Sequence, residues 1–272
     1  MPTVADLRSK GRKTDEPITM LTAYDAPTAE LVEQAEIDVI LVGDSMGNAV
    51  LGHDSTLPVT TEEVESRTSA VSRVVEDSLV VADMPFLSFG VSEEDSIKNA
   101  GRMIKEAGAD AIKLESGPHT IELTERLVEL GIPVMAHLGL TPQRVNQLGG
   151  YGRQGTTKED ATEILELARA HEEAGAFSLV LEHVPANLAA GVTEELDIPT
   201  IGIGAGPNCD GQVLVITDVI GLGDWSPPFS KRFGDVRSEI ESAVDAYKEA
   251  VESGEFPGEE HSETVEEVED VY

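Results

Sequence analysis

The sequence predicts a (β/α)₈ barrel, and three observations carry that prediction. Eight short, nearly continuous aliphatic runs recur along the chain, segments of helical length lie between most of them, and glycine often falls where such a segment would end. Runs without polar alternation mark parallel strands covered on both faces. Alternation of those runs with helices makes βα units, which either close into a barrel or lie open as a doubly wound sheet. A count of eight favours closure.

The strands are expected at 18–25 (ITMLTAYD), 39–44 (VILVGD), 79–85 (LVVADMP), 111–116 (AIKLES), 133–139 (PVMAHLG), 178–184 (SLVLEHV), 199–205 (PTIGIGA) and 213–218 (VLVITD). Helices are expected between several of them at 27–36, 62–76, 92–107, 120–130, 159–174 and 186–196. In EAGADAIKLE, ELGIPVMAH and EAGAFSLVLE a glycine stands where a helix C-cap would fall. A helix near 3–11 is placed to cap the other end of the barrel, and 235–253 reads as the last helix. Two βα connections, 45–61 and 140–158, are long, and both follow strand C-termini, where barrel enzymes build their sites.

The chain has 272 residues, slightly above the roughly 250 of one such barrel. A single barrel domain over 1–257 is therefore expected, followed by an acidic, core-poor tail at 258–272. With aromatic residues at only 4%, Val, Ile, Leu and Ala must fill the core.

Charge is the outlying property: 52 acids against 19 bases leave a formal net charge of −33. Such a surface repels phosphate backbones and anionic membranes, so neither nucleic acid nor membrane is expected as a partner. It suits high salt, where screening shortens self-repulsion, and points to a halophilic source. One cysteine, Cys209, excludes an internal disulfide and a thiolate metal cluster. The first residues lack the apolar core of a signal peptide, and no stretch approaches the about 18 apolar residues of a membrane span. A cytoplasmic protein is the expectation.

Because acids are abundant, only their position informs. VILVGD ends on Asp44, VVAD on Asp83, IKLE on Glu115 and LVLE on Glu182, each directly after apolar residues. Solvated acids belong on helices, so four at strand ends read as a functional cluster. Lys113 and Glu115, two apart in one strand, share a face. A buried lysine needs a partner: either the two neutralise each other, or Lys113 anchors an anionic substrate, the reading preferred here. Carboxylates from neighbouring strands with no cysteine nearby make a hard, oxygen-rich site suited to Mg²⁺. His137, near the end of PVMAHLG, could bind metal, contact substrate or support another group; substrate contact is preferred. IGIGAG lacks a following helix and is a poor dinucleotide motif. The chain contains no GxxxxGK[ST], GxSxG or HExxH.

Several segments occur in a telling order: TAYDAPTA, VGDSMG followed by LGHDSTLPVT, ADMPF, IKLES, AHLGLTPQ, LEHVP, IGIGAG followed by DGQ, and VESGEFPGEEH. In them the chain, from about residue 15 to 261, resembles the ketopantoate (3-methyl-2-oxobutanoate) hydroxymethyltransferase family. The resemblance implies a barrel of the phosphoenolpyruvate/pyruvate-like superfamily and a step of pantothenate and coenzyme A biosynthesis. It implies hydroxymethyl transfer from 5,10-methylenetetrahydrofolate, or a related pterin, to 3-methyl-2-oxobutanoate. Asp44 and Asp83 would bind Mg²⁺, with Glu115 completing the shell or joined to it through water. Asp44, Ser45, Asp83, Lys113 and His137 would contact substrate, and Glu182 would be the base. The residues that hold the one-carbon donor are not identified. A homo-oligomer, a decamer, is implied as well.

The chain departs from the family pattern in places. KLESG stands for a KIEGG-like run, EHVP for ECVP, AHLG for GHLG and PPF for PKF. None of these changes a candidate catalytic side chain, but the last removes a positive charge near 226–229. Three rival readings carry different chemistry. They are another Mg²⁺-dependent 2-oxo acid lyase or mutase of the same superfamily, a Schiff-base aldolase using Lys113, and a non-catalytic binding protein.

Overall fold

A computed structural model describes residues 3–13 and 16–265. Among these the elements run α1 (Val4–Lys13), β1 (Ile18–Thr22), α2 (Ala26–Gln34), β2 (Val39–Val42), α3 (Met46–Ala49), α4 (Thr61–Ser72), β3 (Leu79–Asp83), α5 (Glu93–Lys105), β4 (Ala111–Glu115), α6 (Ile121–Glu129), β5 (Val134–Gly139), α7 (Val145–Leu148), α8 (Lys158–Glu173), β6 (Ser178–Glu182), α9 (Ala186–Glu195), β7 (Thr200–Ile203), β8 (Gly211–Leu214), α10 (Ile216–Val219) and α11 (Val236–Ser253). Single 3₁₀ turns lie at Pro118–Thr120, Pro142–Arg144 and Glu259–His261. The strands pair in sequence order, all parallel, and β1 pairs with β8 to close the barrel.

Local chemistry accounts for the element ends. Asp25, Ser92 and Thr157 accept a backbone N–H at the starts of α2, α5 and α8. Thr60 and Glu63 form a reciprocal capping box on α4. At the other ends, Gly108, Gly131 and Gly175 have φ of 81°, 86° and 93°, the left-handed turn that a side chain disfavours. These are the three glycines the sequence marks as C-caps.

The eighth strand differs from its expected place. The expected strand at 213–218 is displaced: pairing begins at Gly211, opposite both Ile18 and Ile201, and ends at Leu214. The β-branched run continues into the short helix α10, whose first N–H, at Ile216, donates to Thr22 Oγ1 at 2.9 Å. Apolar periodicity does not separate a buried strand from a buried turn of helix over so few residues. No helix separates β7 from β8. The two long connections are not extended loops: 45–61 contains α3, and 140–158 contains a 3₁₀ turn and α7.

The chain divides into two compact units. The first comprises the described residues up to Ile216 together with Pro227–Ser230, and holds the barrel; the second comprises Thr217–Ser226 and the described residues from Lys231 on. The second unit thus takes in α11 as well as the described part of the acidic tail. Residues 266–272 of the expected tail lie outside the described residues. α11 buries none of its residues.

Two apolar layers stabilise the barrel. Inside it, Ile18, Met20, Val39, Leu41, Leu79, Val81, Ala111, Met135, Val180, Ile201 and Val213 form one buried cluster. Leu7 of α1 packs into that cluster, the capping position expected for the N-terminal helix. Outside the strands, Ala136, Leu138, Leu179 and Leu181 pack against Ile164 and Ala168 of α8 and Ala189 and Val192 of α9. Among the described residues no helix is long and apolar enough to cross a membrane.

Candidate active site

Inward-facing residues alternate along each strand, and at the carboxyl ends the barrel changes from apolar to ionisable. On β3 the series runs Leu79, Val81, Asp83; on β4 it runs Ala111, Lys113, Glu115. On β5 it continues with Met135 and His137, and on β6 with Val180 and Glu182. Strand register then sets the ionisable groups side by side: Asp83 is opposite Lys113, and Glu115 opposite His137. Asp44 follows β2 by two residues and is buried, as are Asp83, Lys113, Glu115 and His137. The structure therefore gathers the four strand-end acids, Lys113 and His137 at the carboxyl end of the barrel.

Contacts differentiate the members. Lys113 Nζ lies 2.6 Å from Asp83 Oδ1, a buried pair across neighbouring strands. The other Asp83 oxygen accepts the Asp44 backbone N–H at 2.9 Å. Gly43 makes that approach possible, since a Cβ there would sit 2.7 Å from Ser45 Oγ and 3.2 Å from Asp83 Oδ2. Ser45 Oγ in turn lies 2.8 Å from the hydroxyl of the buried Tyr24. His137 Nε2 is 3.3 Å from Glu182 Oε2, within ion-pair distance but not aligned for a hydrogen bond, and neither ring nitrogen has an aligned partner among the described residues. A buried polar group without an aligned partner calls for an explanation, and at the carboxyl end of a barrel a catalytic role is one.

Electrostatics follow from crowding and burial. Burial, then the neighbouring Asp83 carboxylate, push the Asp44 carboxyl up to about 7. Burial and Asp44 push Glu115 well above the usual carboxylate range. For Lys113 burial disfavours the charge, but Asp83 and Asp44 outweigh it and hold the ammonium above its ordinary value. Burial and Lys113 lower His137, so its imidazole is held neutral.

The donor set fits a hard divalent cation, with a restriction. Among the described residues no group of three His, Cys, Asp or Glu side chains is drawn together closely enough to enclose a metal. Both Glu115 oxygens are turned to the backbone N–H of Gln143, at 3.0 and 3.2 Å. Asp44 and Asp83 are left as the adjoining pair. One or two carboxylates with the remaining positions left to water and substrate is the arrangement Mg²⁺ favours.

Two residues of the site escape a search for strand-end acids. Gln143 Nε2 donates to Asp44 Oδ2 at 2.8 Å and to the Met84 carbonyl at 2.9 Å, and Tyr24 supports Ser45. A signal existed for each: both lie within the motif segments, in AHLGLTPQ and TAYDAPTA.

A closed parallel barrel with buried carboxylates, a lysine and a neutral histidine at its carboxyl end defines an acid–base enzyme suited to small oxygen-rich substrates. The chain matches the family described as ketopantoate hydroxymethyltransferase over residues 2–259, and it belongs to that family. It is 70% identical to 3-methyl-2-oxobutanoate hydroxymethyltransferase of Haloarcula marismortui over 272 residues, all of both chains. Its fold is similar to that of phosphoenolpyruvate phosphomutase from Streptomyces platensis subsp. rosaceus, with TM-score 0.61 and 15% identity over 93% of this chain and 88% of that one. It is also similar to 2,3-dimethylmalate lyase, a PEP mutase/isocitrate lyase superfamily member, with TM-score 0.57 and 17% identity over 98% and 92%. At those identities the likeness speaks to fold. The expected barrel and family are thereby established, and the rival lyase reading shares the fold without the family.

Proposed function

We propose that this chain transfers a hydroxymethyl group from 5,10-methylenetetrahydrofolate or a related pterin to 3-methyl-2-oxobutanoate, giving 2-dehydropantoate for pantothenate and coenzyme A synthesis. The observation that carries the assignment of roles is the ionisable upper layer, in which Glu182 stands apart from the Asp44–Asp83 pair.

Asp44 and Asp83 would hold Mg²⁺, with Glu115 reaching it through water. When bound, the ion supplies positive charge that stabilises the negative charge developing on the keto oxygen. Lys113 and Ser45 hold the substrate carboxylate, the first by charge and the second through a hydroxyl oriented by Tyr24. Glu182 takes the proton from C3. His137, neutral and without an aligned hydrogen bond, donates to a substrate oxygen beside Glu182. C3 then bonds to the one-carbon unit, both C–N bonds that hold that unit to the donor break, water supplies the hydroxyl, and the two donor nitrogens take up the proton removed from C3 and the one released by that water. The apolar floor beneath, Val81, Met135 and Val180, keeps bulk water out of the barrel.

Proton exchange at C3 of 3-methyl-2-oxobutanoate in D₂O, with Mg²⁺ and high salt, tests base, metal and substrate before any donor is needed. Glu182→Gln is expected to abolish exchange while Mg²⁺ binding survives; loss of both would remove Glu182 from the role of base. A borohydride-trapped adduct on Lys113 would replace this mechanism with a Schiff base. Failure of the unaltered protein to exchange the proton would favour a binding protein.

The chain is further proposed to form a homo-oligomer. Ile240, Val244, Tyr247 and Val251 lie four, three and four residues apart on α11, and are 47%, 59%, 62% and 46% exposed. An apolar stripe at this spacing is the seam of a helix that packs against another helix.

A further inference from the structure

We infer that Gln143 is a positioning residue that fixes the orientation in which the Asp44 carboxylate is offered to the cation; this rests on the reading of Asp44 as a metal ligand. Pro142 opens the 3₁₀ turn that follows β5, so the Gln143 N–H falls in a first turn, where backbone donors have no partner within the helix. That N–H goes to Glu115. The residue is only 7% exposed, and its side chain goes elsewhere.

A primary amide has two N–H bonds. One goes from Nε2 to Asp44 Oδ2 and the other to the carbonyl of Met84. The reversed amide would set an oxygen against a carboxylate and a carbonyl, so the network itself fixes the orientation. Met84 N–H donates to the Lys113 carbonyl at 2.8 Å, and Asp44 N–H to Asp83 at 2.9 Å. One residue after β5 thereby ties together the ends of β2, β3 and β4. With one Asp44 oxygen engaged by Gln143, the plane of the carboxylate is set and its other oxygen is the one turned to a cation. Met84 O supplies the second anchor, so the amide cannot follow Asp44 if that carboxylate swings.

The test removes the donors and keeps the shape. In Gln143→Met the backbone contact to Glu115 persists while both side-chain hydrogen bonds are lost. Mg²⁺ affinity is measured by calorimetry, with Mn²⁺ binding by electron paramagnetic resonance and thermal unfolding alongside. Removing a partner that orients a ligand is expected to weaken Mg²⁺ binding about tenfold or more. Acting through Asp44, the change should add nothing to Asp44→Asn, so the double variant binds Mg²⁺ as the Asp44→Asn single variant does. A purely structural role would lower the unfolding temperature and leave the affinities additive. Should Gln143→Met not fold, Gln143→Asn keeps the amide but is too short to span both acceptors, and is read the same way.

Unchanged Mg²⁺ affinity in a folded Gln143 variant overturns the inference, as does full additivity with Asp44→Asn. If Asp44→Asn itself leaves Mg²⁺ affinity unchanged, the metal reading of Asp44 fails first, and the two failures are told apart.

Discussion

Replacing Asp44 by Asn should make the metal-free protein more stable at pH 8. Asn keeps the shape of the side chain, and its oxygen can still accept from Gln143 Nε2. What it removes is a buried negative charge beside Asp83. The carboxyl of Asp44 moves from 3.8 to about 7 on folding, roughly a thousandfold gain in proton affinity, worth about 4 kcal/mol at about 1.4 kcal/mol per factor of ten. Glu115 is pushed up partly by Asp44 and relaxes when that charge is gone, while Lys113 loses an attraction. The relaxation of Glu115 adds to this gain and the loss at Lys113 subtracts from it, so the net effect is expected to be stabilising and on the order of a few kcal/mol. The sign follows from proton linkage. The folded state binds the Asp44 proton more tightly, so in the unaltered protein this group erodes stability as pH rises from about 4 to about 7. The advantage of Asp44→Asn should therefore be largest above pH 7 and fade toward pH 4. Urea unfolding in molar KCl with a chelator, at pH 5 and pH 8, measures it. Saturating Mg²⁺ should reverse the ranking by stabilising only the protein that retains its ligand. Equal stability of the two proteins at pH 8 without metal would refute the claim that Asp44 carries a burial and repulsion penalty.

Gly139→Ala should destabilise by about 2 kcal/mol or more, because φ is 95° and the new Cβ would collide with the Glu182 carbonyl oxygen; denaturant unfolding reads this. His171 is fully buried between Thr124 Oγ1 and the Gly117 carbonyl, and burial lowers its pKa from 6.5. The stability it contributes is present above 6.5 and lost as pH falls below that value, so His171→Gln should flatten the stability–pH curve on that limb. Val244→Asp, within the exposed stripe of α11, should shift sedimentation toward smaller species with the barrel's circular dichroism unchanged.

The fold was legible because strand, cap and crossover signals agreed along most of the chain. VLVITD failed where the same β-branched residues serve a strand and then a turn of helix, a choice made by the Thr22 hydroxyl and the partners of Gly211, all distant in sequence. The acids were legible by position, since each ends an apolar run. Their partners were not. Lys113 shares a face with Glu115, as the two-residue spacing requires, yet its ion pair is with Asp83 in the neighbouring strand, and strand register is not written in local spacing. Gln143 was hidden for a related reason: its side chain acts on Asp44, 99 residues away, and nothing in TPQ announces which acid it will meet.

The balance of charge also implies an order of events. Four carboxylates against one ammonium would leave three uncompensated negative charges in the upper layer at full ionisation, and the raised Asp44 and Glu115 carboxyls express that excess. A 2-oxo acid adds a further negative charge. Lys113 cannot absorb it alone, because its ammonium is already committed to Asp83 at 2.6 Å. An anionic substrate therefore meets net repulsion until either protons or a dication neutralise the acids. Protons would disarm the ligands in doing so, whereas a dication held by Asp44 and Asp83 would offset their charge and loosen the Asp83 pair with Lys113, leaving that ammonium for the substrate carboxylate. On the proposed assignment of roles, cation entry would prepare anion entry, with Lys113 changing partners between them.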